Sequence, residues 1–183
     1  MPNLREQLRR CLQGHVCLVG VGNVRQGDDG FGVRLAEALL KSEIRNPKSE
    51  IPAGAAPGGS SVLELEVLVA GTVPERHVAR LRDGGFDHVV FLDAVEFGAA
   101  PGSVVLLGAG EIHTRFPQIS THKLSLGLLA QLIETDGGTK VWLLGVQPQT
   151  LRPGDELSRG LATSLTALAG LLVEGLTAPE AMA

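Results

Sequence analysis

The run Val16-Cys17-Leu18-Val19-Gly20-Val21-Gly22-Asn23-Val24-Arg25-Gln26-Gly27-Asp28-Asp29-Gly30-Phe31-Gly32 decides how the rest of the chain is read. Its first residues, Val16 to Val21, are apolar or small without interruption, the signature of a strand buried on both faces. A glycine-rich turn follows and ends in two adjacent carboxylates. Beyond it Val33, Leu35, Ala36, Leu39 and Leu40 recur at helical spacing, so a helix starts at Asp28 or Asp29. A buried strand feeding a glycine turn and a helix opens an α/β layer structure with a largely parallel sheet.

Working outward, the same alternation continues. Val62 to Val69 is a second strand in which Glu64 and Glu66 interrupt the apolar residues, as expected of an edge or a partly exposed face. Pro74 suits the first turn of a helix reaching about Arg82, and His88 to Leu92 is a third, central strand. Ser103 to Leu107 comes after the turn cluster Ala99-Ala100-Pro101-Gly102, with about ten residues of non-helical connection. A parallel return needs a dozen or more, so this strand is expected to run antiparallel. Thr121 to Glu134 is a helix with Leu124, Leu128, Leu129 and Leu132 as its stripe, Val141 to Val146 a fifth strand, and Glu156 to Leu176 a closing helix. Asn3 to Gln13 is an amphipathic N-terminal helix. Lys41 to Ser61 breaks the rhythm with Pro47, Pro52, Pro57 and the tandem Ser42-Glu43-Ile44 and Ser49-Glu50-Ile51, as expected of a flexible, exposed insertion in a single-domain chain spanning residues 1–183.

Composition narrows the function. The chain has 183 residues, a formal charge of −4, 3% aromatic residues and no Tyr, so neither base stacking nor counterion release on nucleic acid is expected. No apolar stretch approaches the length of a membrane span, and a cytoplasmic location without a membrane partner is expected. Cys11 and Cys17 have neither a zinc spacing nor a disulfide framework and suit small core positions.

The glycine turn could cradle phosphate, but details argue against it. A dinucleotide fingerprint needs glycine where Arg25 stands. A phosphate loop needs Lys and Ser or Thr where Asp28 and Asp29 stand, and two carboxylates at the positive end of a helix repel phosphate. A helix cap or a cation site remains. Asp93 emerges at the end of Val89-Val90-Phe91-Leu92, at the same carboxyl edge of the sheet as Asp29. Glu96 suits a solvated loop charge. His15, His77 and His88 suit strand starts and helix surface, His113 falls in a loop, and His122 follows Ser120-Thr121 at a helix start. Two carboxylates and one imidazole can hold a borderline divalent cation weakly, with coordination positions left open. No Gly-x-Ser-x-Gly motif occurs, and neither Cys has a histidine partner at that edge, so a covalent acyl-enzyme has no support. A cation polarising a carbonyl or acidifying water is compatible with these residues.

Together these motifs resemble the hydrogenase maturation endopeptidases. The resemblance rests on Val19-Gly20-Val21-Gly22-Asn23 with Gly27-Asp28-Asp29-Gly30 and Gly32, on Phe91-Leu92-Asp93-Ala94 leading to Pro101-Gly102, on Thr121-His122, and on Leu144-Gly145-Val146-Gln147-Pro148. Gly-Asp-Asp-Gly, Thr-His and Gly-Val-Gln-Pro look most like the branch serving formate-linked hydrogenases. The resemblance implies a three-layer α/β/α sandwich around a mostly parallel five-stranded mixed sheet with one antiparallel strand. It implies an endopeptidase that removes a C-terminal peptide from the precursor of a nickel-iron hydrogenase large subunit once nickel is in place. Asp29, Asp93 and His122 are then the catalytic, metal-binding trio. The nickel comes with the substrate and is not held tightly by the free enzyme, which is expected to act as a monomer. Val69-Ala70-Gly71 lacks the acid that the family often carries there, so no role is carried over to that turn. A non-catalytic nickel-sensing or metallochaperone module using the same trio is the alternative.

Overall fold

The apolar run at the start of the chain becomes strand β1 (His15–Val21), buried from Val16 onward in a computed structural model that describes residues 3–42, 64–115 and 125–177. β2 (Glu64–Gly71), β3 (His88–Ala94), β4 (Val104–Gly108) and β5 (Lys140–Val146) complete a five-stranded sheet of order β2-β1-β3-β5-β4. β1 pairs in parallel with β2 and β3, and β3 with β5, while β4 runs antiparallel to β5. β3 is central and β2 an edge, as the alternation of Glu64 and Glu66 indicated. The Glu66 carboxylate takes up the Arg80 guanidinium. β4 does not pair with β3, which it follows in sequence. β5 occupies that side because its residues are buried in nearly every position, whereas the half-buried β4 suits an edge.

Helices cover both faces, giving the expected α/β/α sandwich. α1 (Leu4–Cys11), α2 (Phe31–Lys41) and α6 (Arg159–Thr177) pack with Val16, Leu18, Val90, Leu92 and Leu144. α3 (Val78–Asp83), α4 (Ala109–Arg115) and α5 (Leu126–Glu134) pack with Cys17, Val19, Phe91 and Leu143. Strand alternation sends Cys17 to the core opposite that of Val16 and Leu18, and Cys11 of α1 packs with the latter, so the two thiols lie on different sides of the sheet. Burial pushes both thiols up to about 12, consistent with small core residues. α1 is held at its start by a reciprocal capping box between Asn3 and Glu6. No helix among the described residues is long and apolar enough to cross a membrane.

Several expectations change in detail. The stripe of α5 is Leu126, Leu129, Ala130 and Ile133, while Leu128 and Leu132 are exposed. Leucine at so many positions fits two helical faces, and Gly127 selects one: a Cβ there would stand 3.0 Å from the His113 Cα of α4. His113 lies on α4 and not in a loop. α6 starts at Arg159, because Glu156 belongs to an exposed loop. Lys41 is the last residue of α2. The expected insertion from residue 43 onward, Val62 and Leu63 of the second strand, and Thr121 to Leu124 of the fourth expected helix lie outside the described residues.

The turn between β1 and α2 sets the geometry of the rim. A 3-10 turn, Gly27–Gly30, precedes α2, whose N-cap is Gly30 with no side-chain cap bond. The expectation that Asp28 or Asp29 caps the helix is therefore corrected, since the extra tight turn carries both carboxylates away from the cap position. Gly32 lets α2 descend onto the strand ends: a Cβ there would lie 1.8 Å from the Leu92 carbonyl oxygen and 2.5 Å from that of Val21. Gly22, at φ +126°, passes so close to the turn that a Cβ would meet the Asp29 carbonyl oxygen at 1.8 Å. Backbone atoms cannot yield as a flexible side chain can. Gly32→Ala is therefore expected to destabilise the protein by about 3 kcal/mol or more, read as a lowered Tm by calorimetry, with no compensation from its better helix propensity.

Candidate active site at the carboxyl rim of the sheet

Close packing of the first turn of α2 on β1 and β3 brings two carboxylates together. Asp29 stands on the 3-10 turn and Asp93 near the end of β3, one residue past the Gly20–Leu92 pairing of β1 with β3. Each is 5% exposed. The Asp29 Oδ2 accepts the N–H of Asn23 at 2.9 Å, and the Asp93 Oδ1 accepts the N–H of Ala94 at 2.8 Å. Burial raises the Asp93 carboxyl well above the usual range, and the nearby Asp29 charge raises it further; the Ala94 N–H opposes both. The two desolvated carboxylates stand at the carboxyl edge of an open α/β sheet, where such folds place ligands. Repulsion of this kind is relieved by a proton or a cation shared between the two groups.

Asp28 has a different environment. It is fully buried, and its carboxylate accepts backbone N–H groups of Gln149 at 2.9 Å, Thr150 at 3.1 Å and Ser158 at 2.7 Å. The adjacent aspartates thus divide: one is satisfied by the loop after β5, and the charge of the other raises the proton affinity of Asp93. The family resemblance singled out Asp29, but nothing in the local residues explains the division, because the partners of Asp28 lie more than a hundred residues away.

Gln147 of the Gly145-Val146-Gln147-Pro148 motif is a further residue of the rim. It is buried, and its Oε1 accepts the N–H groups of Phe97 at 2.8 Å and Ala99 at 3.2 Å. Its carbonyl accepts the N–H of Gly102 at 2.9 Å. The loop leaving Asp93 is thereby fastened to the end of β5. A lone amide side chain closing an apolar strand was the available signal.

Of the expected trio the structure brings Asp29 and Asp93 together, while His122 lies outside the described residues. Glu96 is exposed, as expected of a loop charge. His15 and His88 stand at the starts of β1 and β3, the opposite edge of the sheet. The Trp142 indole N–H donates to His88 Nδ1 at 3.0 Å, and burial, then the Lys140 charge, lowers the basicity of this imidazole against a smaller opposing effect of Asp87. His77 ends a short 3-10 turn, Pro74–His77. Among the described residues no group of three or more His, Cys, Asp or Glu is arranged to hold a metal ion.

The raised proton affinity of Asp93 has a definite sign. An acid whose folded pKa exceeds its unfolded value costs stability as pH rises from the ordinary carboxyl range through the raised value, and the cost is complete above it. Asp93→Asn keeps the acceptor for Ala94 and removes the charge. Its Tm in metal-free buffer at neutral pH is expected to exceed that of the parent, a gap that closes as pH falls toward about 4. Differential scanning fluorimetry across pH measures both.

The family model for hydrogenase maturation protease matches residues 53–174, and the Gly22 to Gly32 turn precedes that span. The hydrogenase 3 maturation protease of Escherichia coli K12 is 30% identical over 131 residues, covering 72% of this chain and 71% of the relative. The crystal structure of the [NiFe] hydrogenase maturation protease HycI from Thermococcus kodakarensis KOD1 superposes with a TM-score of 0.76 at 28% identity, covering 94% of this chain and 99% of that one. The hydrogenase maturating endopeptidase HybD from E. coli gives a TM-score of 0.65 at 26% identity over 87% and 88% of the two chains. With the sheet order, the acidic rim and these relatives in agreement, the chain belongs to the hydrogenase maturation protease family.

Proposed function

We propose that this protease removes a C-terminal peptide from the nickel-loaded precursor of a nickel-iron hydrogenase large subunit, one linked to formate metabolism, in the cytoplasm. The observation that carries the reading is the buried pair Asp29 and Asp93, with Asp93 held above its usual proton affinity by burial and by Asp29. Nickel belongs to the substrate in this scheme. A divalent cation polarises a carbonyl or acidifies a bound water, and here it arrives with the precursor. Asp29 and Asp93 then gain a counter-ion and lose their mutual repulsion only when a loaded precursor docks. That difference separates loaded from unloaded substrate, because a protein can select a state only through differential affinity for it.

His122 enters as the third metal-facing group on the motif Thr121-His122. The trio positions the peptide bond beside the nickel for attack by water, whose oxygen joins the carbonyl carbon as the C–N bond breaks and the amine takes up a proton. Membership of a protease family favours cleavage over the metallochaperone alternative.

Mass spectrometry of purified nickel-loaded precursor after incubation should show discrete loss of a C-terminal peptide, and none from nickel-free precursor. Asp29→Ala, Asp93→Ala and His122→Ala should each slow processing by about 100-fold or more while circular dichroism shows the fold retained. Normal processing by all three variants would end the proposal.

A further inference from the structure

The loop after β5 cannot be positioned by burying its own side chains, because every residue from Gln149 to Glu156 is exposed. Polar contacts to the β1–α2 turn hold it instead. Gly27 N–H donates to the Gly154 carbonyl at 2.7 Å, and Gly154 N–H to that of Arg25 at 3.0 Å. The Arg34 guanidinium donates to the Asp155 carbonyl. Asp28 is the hub: one carboxylate oxygen accepts from Gln149 and Thr150, and the other from Ser158. A buried carboxylate whose two oxygens accept several N–H groups is fixed in orientation by charge-assisted bonds. Asp29, the next residue on the same 3-10 turn, has by contrast the Asn23 N–H as its hydrogen bond.

We infer that Asp28 is a positioning residue: by clamping the 3-10 turn to the loop after β5 it sets where the Asp29 carboxylate stands against Asp93. The inference rests on the proposed function in that Asp29 faces the substrate's nickel. Gln147 acts in parallel on the other side, fastening the loop that leaves Asp93. The end of β5 and the loop that follows thus serve as one template for the segments bearing both site carboxylates. A misplacement of about 1 Å in such a site is enough to slow a reaction by orders of magnitude.

The experiment compares the parent chain with Asp28→Ala and Asp28→Asn by amide hydrogen exchange followed by NMR, and by processing of nickel-loaded precursor. A clasp that only stabilises the loop would release the amides of Gln149, Thr150 and Ser158 and leave that of Asn23 as in the parent. Positioning predicts that the Asn23 amide, which reports on Asp29 and touches no atom of the Asp28 side chain, exchanges about 10-fold faster or more in Asp28→Ala. It also predicts that kcat falls about 10-fold or more with KM for the precursor little changed. Asp28→Asn, which keeps one acceptor oxygen, should lie between, and it carries the same measurements if Asp28→Ala fails to fold. Parental Asn23 exchange or parental kcat in a folded variant overturns the inference. If the parent chain itself does not cleave the precursor, the proposed function fails instead, and Asn23 exchange alone decides the role of Asp28.

Discussion

The contact between the first turn of α2 and the carbonyl groups ending β1 and β3 is the constraint on which the rest depends. A helix seated directly on strand ends must present bare backbone there, and Gly32 does so against Leu92 and Val21. Gly20 of β1 does the same from the strand side, where a Cβ would stand 2.6 Å from the Gly32 carbonyl oxygen. Glycines that at first sight suggest a phosphate cradle are used here for backbone approaching backbone. The approach leaves the 3-10 turn over the rim, and that turn delivers Asp29 to Asp93.

Three aspartates are buried in this small region, and each meets the cost of burial differently. Asp28 is satisfied by N–H groups from a distant loop, Asp29 accepts from Asn23, and Asp93 accepts from Ala94 yet keeps a raised proton affinity. A fold selected for stability alone would not keep the last of these, since an apolar residue or an amide at Asp93 would avoid the repulsion. Local conflict of this sort concentrates at functional sites, where the surrounding packing sustains it. The two cores above and below the sheet supply that support, with Phe31 and Phe91 fully buried beside the site segments.

Much of the architecture was legible in the chain because period and length are local properties. The uninterrupted run through Val21 read as a buried strand, the Glu64 and Glu66 alternation as an edge or a partly exposed face, and the short connection before Ser103 favoured an antiparallel strand. The buried stripe of α5 keeps Leu129 of the expected one but differs otherwise for a physical reason: leucines at Leu124, Leu128 and Leu132 have helical spacing, yet a helix is oriented by its neighbour, and Gly127 against His113 turns a different face inward. The start of α6 was misplaced because Glu156 and Leu157 continue the helical composition, while Asp28 and Arg25 hold that stretch as a loop.

By itself, the sequence determined the layer architecture, the antiparallel strand and the candidate aspartates at the carboxyl edge, since these follow from hydrophobic period, connection length and residue type. The family resemblance named Asp29 of the two adjacent carboxylates, and only the tertiary structure decided that Asp28 is spent holding a loop. That choice depends on N–H groups at Gln149, Thr150 and Ser158, more than a hundred residues along the chain. No local pattern encodes such a partner; it exists only once β5 lies beside β3 and α2 rests on the sheet.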